Sequence, residues 1–184
     1  MVKFNKLRDE AYKCAVDHGW HDEEYKDAHW QCLIMSELME AVEADRKIKW
    51  TNREIFEYYM NQKSRSDDEF AYAFKYMIKD TVEDELADAC IRIFDFAGLK
   101  EVDLEDFDYE NSCSWDYSEM TFTEAVFFMC ESITKIVNPD IDLPAALNEI
   151  LAFCKCREID IYWHIEQKMK YNALRPYKHG GKQY

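Results

Sequence analysis

Apolar residues recur every three to four positions along most of this chain, which is the spacing of one face of an α-helix. The pattern predicts a first amphipathic helix over residues 3–18 and a second over about 22–48. Acidic residues occur in the first turn of the second helix and basic residues in its last turn, as the helix dipole favours. Ser or Thr followed three residues later by Glu forms a capping box. Two such boxes predict a short helix over 52–62 and a long helix over about 67–98.

The second half of the chain predicts three more helices after an acidic connection. Residues 101–119 hold eight acids and no basic residue, which is typical of a solvated segment. Helices are expected over about 121–138, 142–157 and 160–175. With only 4 Gly and 3 Pro, the chain is poorly supplied with the residues of tight β-turns. We therefore expect an all-α protein.

Length and composition indicate one domain. The 184 residues, 48% of them hydrophobic, suffice for one packed core and are few for two. A single domain over 1–184 is therefore expected. No window reaches the apolar length of a membrane span, and residues 1–6 lack the apolar core of a signal peptide. These observations predict a cytoplasmic protein that does not bind membranes.

The net charge of -15 argues against binding of nucleic acid through its phosphates, which needs a cationic surface. The charge is uneven, however. Residues 168–184 contain no acid and five cations: Lys168, Lys170, Arg175, Lys178 and Lys182. A basic ending is therefore expected beside an acidic body.

Two carboxylates interrupt the apolar face of the second predicted helix. The stripe expected to face the core consists of Trp30, Ile34, Leu38 and Ala41. At 100° of rotation per residue, Glu37 lies inside this stripe and Glu40 at its edge, whereas Glu43 points to solvent. The unusual acids therefore follow the pattern Glu-x-x-Glu.

The long predicted helix repeats this feature with Glu85 and Asp88 on the flank of its apolar face. An ionised carboxylate removed from water is costly unless it is paired or binds a metal ion. Oxygen ligands alone favour a hard cation such as Mg²⁺, and Mn²⁺ would be tolerated. The same spacing also fits partly exposed acids paired with Arg92 or with lysines. Residue spacing alone leaves both interpretations open.

Several other kinds of site are excluded by missing motifs. Di-iron helical bundles use Glu-x-x-His twice, and no Glu-x-x-His occurs in this chain. The phosphate-binding loop Gly-x-x-x-x-Gly-Lys-Ser/Thr and the Gly-x-Ser-x-Gly elbow of serine hydrolases are also missing. The four carboxylates remain the strongest candidate for chemistry.

Two segments carry a resemblance to a known family. Ser-Glu-Leu-Met-Glu-Ala over 36–41, followed by Glu-Asp-Glu-Leu-Ala-Asp-Ala over 83–89, resembles the MazG-like all-α nucleoside triphosphate pyrophosphatases. That superfamily carries Glu-x-x-Glu on one helix and Glu-x-x-Asp on the next. The ending Lys-Met-Lys-Tyr-Asn-Ala-Leu-Arg over 168–175 is similar to the family's Lys-Met-x-x-Asn-x-x-Arg. The resemblance implies four catalytic magnesium ligands: Glu37, Glu40, Glu85 and Asp88.

The resemblance also implies a fold and a reaction. The fold would be a bundle of the all-α pyrophosphatase type, with two extra helices inserted over 101–158 before the C-terminal helix. The reaction would be hydrolysis of nucleoside triphosphates to monophosphate and pyrophosphate, in a homodimer or homotetramer. Lys168, Asn172 and Arg175 would contact the phosphates. The alternative is a non-catalytic acidic helical module that binds a basic partner.

Overall fold

The computed structural model describes residues 3–112, 114–181 and 183, and within them the regular secondary structure is entirely helical. The expected all-α class is therefore confirmed. Met1 and Val2 of the N-terminal stretch, and Lys182 of the basic ending, lie outside the described residues. The helices are α1 (Phe4–Asp17), α2 (Asp27–Arg46), α3 (Arg53–Asn61), α4 (Asp67–Met77), α5 (Val82–Leu99), α6 (Phe122–Thr134), α7 (Pro139–Cys156), α8 (Ile161–Ala173) and the short α9 (Lys178–Gly181).

Helix α5 lies at the centre of the structure, where it packs against α1, α2, α7 and α8. Its sequence explains this position, because apolar residues occur on nearly every side of the helix, and such helices are buried. Phe94 and Phe96 point to different sides, yet both are fully buried. Helix α6 packs on α2 and α7. The two helices predicted within 101–158 are thus present as α6 and α7.

A second, smaller core lies beneath α3 and α4. It consists of Phe56, Phe70, Ala73, Phe74 and Ile78. Two aromatic side chains of α8, Trp163 and Tyr171, pack against this cluster. Helix α8 therefore contacts both the smaller core and α5, and this places its polar residues beside the N-terminal part of α5.

The prediction of one long helix over 67–98 is wrong, because the chain turns between α4 and α5. Asp80 has a left-handed φ of 60°, which an α-helix does not accommodate. The Thr81 hydroxyl then caps α5 by accepting a hydrogen bond from the backbone N–H of Asp84 at 3.3 Å. The turn places Asp84 and Glu85 in the first turn of α5, where the helix dipole favours carboxylates.

Other helix boundaries differ less from the predictions. Helix α2 begins later than expected, at Asp27, and α7 begins earlier, at Pro139, since Pro fits the first position of a helix. The side chain that caps α3 is that of Asn52. The capping box predicted before residues 52–62 is therefore wrong, whereas the one predicted before 67–98 is confirmed and begins at Ser66. Thr121 and Glu124 form another capping box at the start of α6. Among the described residues, no helix combines the length and the apolar character needed to cross a bilayer.

The packing of α1 on α5 depends on Gly98. A Cβ atom at this position would lie 2.5 Å from the Cβ of Tyr12 and 3.4 Å from the carbonyl oxygen of Arg8. Both neighbours belong to the backbone of α1 or lie next to it, so they cannot rotate away. Any larger residue would push α1 away from α5.

We predict that Gly98→Ala lowers the free energy of unfolding by about 1 to 3 kcal/mol through this overpacking. Helix propensity alone predicts the opposite sign, because Ala is favoured over Gly by about 1 kcal/mol within a helix. Urea unfolding of the two proteins measures the difference. A more stable variant would show that α1 and α5 are not in the close contact described.

Candidate metal and phosphate site

Helices α2 and α5 bring the four predicted acids together at one end of a cavity. Ligand oxygens of Glu37, Glu40 and Glu85 all lie within 4.8 Å of one another. A second group with the same property consists of Asp84, Glu85 and Asp88. Glu85 belongs to both groups and therefore lies between them. Either group can hold a metal ion.

The carboxylates differ in their access to solvent. Glu85 is only 3% exposed and Glu37 is 8% exposed, so these two are the most deeply buried of the four predicted acids. Asp88 is half-buried, and Glu40 is exposed at the rim. Glu43, the outward-facing acid of the same helix, is exposed and pairs with Lys47 at 3.0 Å. The helical pattern thus separated the inward-facing acids of α2 from the outward-facing one.

Arg92 neutralises one of these acids. Its Nε donates a hydrogen bond to Oε1 of Glu37 at 3.0 Å, so the ion pairing left open by the sequence occurs at this position. Within the described part of the chain, no hydrogen bond or ion pair reaches the carboxylate of Glu85. Burial, reinforced by the charge of Asp88, raises the pKa of Glu85 to about 9. Burial also raises the pKa of Glu37 to about 7, against the opposing effect of Arg92.

Asp84 is a site residue that sequence analysis missed. It is 1% exposed, and its Oδ2 accepts hydrogen bonds from Nζ of Lys168 at 2.8 Å and from the backbone N–H of Asp80 at 2.9 Å. Its Oδ1 is buried and has no hydrogen-bond partner among the described residues. The available signal was its position four residues before Asp88, which places both on one face of a helix.

Lys168 lies inside the acidic cluster, rather than at an open phosphate-binding surface. It is 3% exposed, and its ammonium is 2.8 Å from Asp84 and 2.6 Å from Asp88. Burial alone would lower the pKa of Lys168, but the charges of Asp88 and Asp84 outweigh this effect and raise it. Lys168 is therefore a cation that α8 supplies to α5.

The chemistry of this donor set fits a hard divalent cation. Every side chain in the two groups offers oxygen, which suits Mg²⁺ or Mn²⁺ better than the softer metals that prefer His and Cys. An unpartnered buried oxygen on Asp84 and an unpaired buried carboxylate on Glu85 are both costly without a cation. The residues present therefore fit magnesium.

A cavity of about 610 Å³ extends from the carboxylates along α1 and α8. Lys168, Asn172 and Arg175 all line it, as do Glu37 and Glu85. The Oδ1 of Asn172 is buried and has no hydrogen-bond partner among the described residues. Arg175 is half-buried, and this burial lowers the pKa of its guanidinium. The three predicted substrate-binding residues thus face the same space as the carboxylates.

The segment that carries Arg175 folds back over the end of α1. Nε2 of His18 lies 2.9 Å from the carbonyl oxygen of Arg175, and the backbone N–H of Lys178 donates to the carbonyl of His18 at 3.0 Å. The hydroxyl of Tyr177 hydrogen-bonds to the carboxylate of Asp22. No local sequence pattern predicts this docking, which holds Arg175 at the cavity.

Aromatic residues lie both in the cavity and in the core. Trp30 is 4% exposed and belongs to the main core, as its place on the apolar stripe of α2 predicts. Trp20 and His179 instead line the cavity, with their ring centroids 5.0 Å apart. Lys79 lines the cavity as well.

Comparison with known proteins identified no relative. No family model, curated protein or solved structure matches this chain. The resemblance to the MazG-like pyrophosphatases therefore remains a prediction, and the function has to be argued from the geometry of the site.

Because its pKa is raised to about 9, Glu85 is protonated in the metal-free protein at neutral pH. Glu85→Gln keeps both the volume and the neutral state of this side chain, so the free energy of unfolding in the presence of a chelator should change by less than about 1 kcal/mol. Millimolar Mg²⁺ should raise the melting temperature of the wild-type protein by binding the folded state. It should raise that of the variant much less.

Differential scanning fluorimetry with EDTA and with Mg²⁺ measures both effects. Glu43→Gln is the matched control, because it removes an exposed carboxylate from the same helix as Glu37 and should keep the wild-type response to Mg²⁺. An equal response in the Glu85→Gln variant would mean that Glu85 does not bind the ion.

Proposed function

We propose that this chain is a magnesium-dependent nucleoside triphosphate pyrophosphohydrolase of the MazG-like type. The observation that supports it best is the pair of carboxylate groups sharing Glu85, which lies in the same cavity as Arg175 and Asn172. Carboxylates bind the metal ions that accompany a polyphosphate, and guanidinium and amide groups bind its oxygens. The carboxylates and the pair Arg175 and Asn172 would therefore act on the same triphosphate.

Charge explains why the carboxylates and the substrate need metal ions between them. A triphosphate carries about four negative charges and would be repelled by the acidic cluster at close range. Bound magnesium would neutralise the phosphate oxygens and lower the pKa of a coordinated water. Glu37, Glu40 and Glu85 would hold one ion, and Asp84, Glu85 and Asp88 a second. In this arrangement Glu85 is the ligand shared by both ions.

The reaction proposed is attack of water on the α-phosphorus. The bond from that phosphorus to the bridging oxygen breaks, pyrophosphate leaves, and a carboxylate of the cluster accepts the proton of the water. Arg175 would bind the departing pyrophosphate, whose negative charge grows as the bond breaks. Asn172 would donate a hydrogen bond to a phosphate oxygen through its amide nitrogen. No covalent intermediate with the protein is required.

The alternative of an acidic interaction module fits the burial of the acids less well. A basic partner binds carboxylates that are exposed at a surface, whereas Glu85 and Asp84 are 3% and 1% exposed. Glu85 lines the cavity, so a small ion can reach it there, whereas the side chain of another protein cannot. Burial therefore favours the enzyme.

A homodimer or homotetramer is part of the same proposal. Large apolar side chains remain exposed on α3 and α4, among them Ile55, Tyr58, Tyr72 and Tyr76. Such a concentration on two neighbouring helices is typical of a surface that another protein covers. Light scattering coupled to gel filtration would measure the mass of the assembly.

Product analysis tests the proposed reaction. Nucleoside triphosphate incubated with the protein and Mg²⁺ should give monophosphate and pyrophosphate, and no product should form with EDTA. Glu37→Gln should lower turnover by at least about a hundredfold, roughly 2.7 kcal/mol of transition-state stabilisation. Glu43→Gln should keep the wild-type rate. Release of nucleoside diphosphate and inorganic phosphate would contradict the assignment, as would undiminished turnover by Glu37→Gln.

Arg175→Ala should lower kcat/KM by at least about tenfold, roughly 1.4 kcal/mol, because the guanidinium is assigned to the departing pyrophosphate. Binding of Mg²⁺, measured by thermal shift, should not change. Lys178→Ala is the control, since Lys178 belongs to the same C-terminal segment and its side chain pairs with Asp22 at 3.7 Å. Equal losses in both variants would indicate that the segment's docking, rather than the guanidinium, supports activity.

A further inference from the structure

The ammonium of Lys168 contacts two acids of one of the two carboxylate groups. Its ammonium lies 2.8 Å from Oδ2 of Asp84 and 2.6 Å from Oδ2 of Asp88, and the side chains of Lys168 and Asp84 are 4% and 0% exposed. These acids are two of the three members of one carboxylate group. The third, Glu85, receives no ion pair among the described residues.

In the other carboxylate group a cation pairs with only one of the three acids. Arg92 contacts Glu37 at 3.0 Å, and no ion pair among the described residues reaches Glu40 or Glu85. Glu40 is also exposed, so an ion arriving from solvent can reach this group first. The two groups therefore differ: Glu40 and Glu85 of the first have no ion pair among the described residues, whereas in the second the ammonium of Lys168 contacts both Asp84 and Asp88.

We propose that Lys168 acts as an internal counter-ion, so that the free protein binds one divalent ion, at Glu37, Glu40 and Glu85. A second ion would enter at Asp84, Glu85 and Asp88 only when Lys168 moves away. The entry of this second ion with a triphosphate rests on the function proposed above. The count of one ion in the free protein does not.

Charge repulsion supports this order of binding. A magnesium ion sits about 2.1 Å from its carboxylate oxygens. The ammonium already contacts an oxygen of Asp84 and one of Asp88. An ion bound to those same oxygens would lie within a few ångströms of the ammonium, and the two cations repel each other strongly in a buried site. The ammonium and the second ion therefore exclude each other.

The substrate can relieve this exclusion. The lysine stem is flexible, with its charge concentrated at the end, so a small rotation of its torsions moves the ammonium by several ångströms. A triphosphate offers anionic oxygens that can replace the contacts with Asp84 and Asp88. Lys168 would then contact phosphate in the substrate complex, as the resemblance implies, and the carboxylates of Asp84 and Asp88 would be free to bind the second ion. Before substrate arrives, it would keep the second ion out.

The experiment is a titration of the full chain with Mn²⁺ in the absence of nucleotide, with free ion counted by electron paramagnetic resonance. The wild-type protein should bind one Mn²⁺ per chain. Lys168→Gln should bind two, or bind a second ion at least about tenfold more tightly than wild type. Lys168→Arg, which keeps a cation, should again bind one, as should Lys170→Gln on the exposed side of the same helix.

The outcomes separate this inference from the proposed function. Two ions of similar affinity in the wild-type protein, or a single ion in Lys168→Gln, would overturn the counter-ion role while leaving the enzyme proposal intact. No bound ion in any protein would overturn the metal site itself. A non-hydrolysable triphosphate analogue added to the wild-type protein should raise its count from one to two. An unchanged count would contradict displacement of Lys168 by substrate.

Loss of the buried ammonium can also destabilise Lys168→Gln, because Asp84 and Asp88 are then left without a cation. Circular dichroism therefore accompanies the titration. The variant should melt at a lower temperature than wild type in EDTA, and Mn²⁺ should raise its melting temperature by more than it raises that of wild type. A variant that stays unfolded at every Mn²⁺ concentration would overturn the inference, since the ion would then not replace the ammonium.

Discussion

The structure depends on how it neutralises carboxylates that are buried close together. Glu37, Asp84 and Glu85 are each less than 10% exposed, and Glu85 lies between the other members of the cluster. Like charges in a poorly solvated space oppose folding unless cations offset them. Two helices supply those cations, Arg92 from α5 to Glu37 and Lys168 from α8 to Asp84. The positions of α2, α5 and α8 relative to one another are therefore tied to the electrostatics of the site.

The turn before α5 is the second requirement. If α4 and α5 formed one continuous helix, Asp84 and Glu85 would lie in its middle, where the helix dipole does not favour a negative charge. With Asp80 in the left-handed conformation and Thr81 as the cap, both acids fall in a first turn. There the helix dipole and the free N–H groups favour negative charge. The same turn lets the backbone N–H of Asp80 donate to Asp84.

The sequence predicted the parts of this structure that follow from local patterns. Glu37 was found because a carboxylate on an apolar helical stripe is costly, and the capping box at Ser66 was found because its signal lies within four residues. The turn at Asp80 was missed because the apolar spacing continues through Ile78 and Val82 without a Gly or Pro. The partner of Lys168 was missed because Asp84 lies 84 positions earlier in the chain, and no local pattern reports a contact between distant helices.

If Lys168 both neutralises buried acids and binds phosphate, as we propose, its two roles constrain each other. A lysine that only contacted substrate would leave Asp84 and Asp88 unpaired in the free protein, at a cost of several kcal/mol for buried charges. A lysine that only stabilised the fold would keep a second metal ion out permanently. An ammonium on a flexible stem, held by two carboxylates and lining the cavity, meets both needs because its partners can be exchanged. Under the proposed function, the strength of the contacts between Lys168 and these acids would set how much of a triphosphate's binding energy is used to displace the ammonium from Asp84 and Asp88.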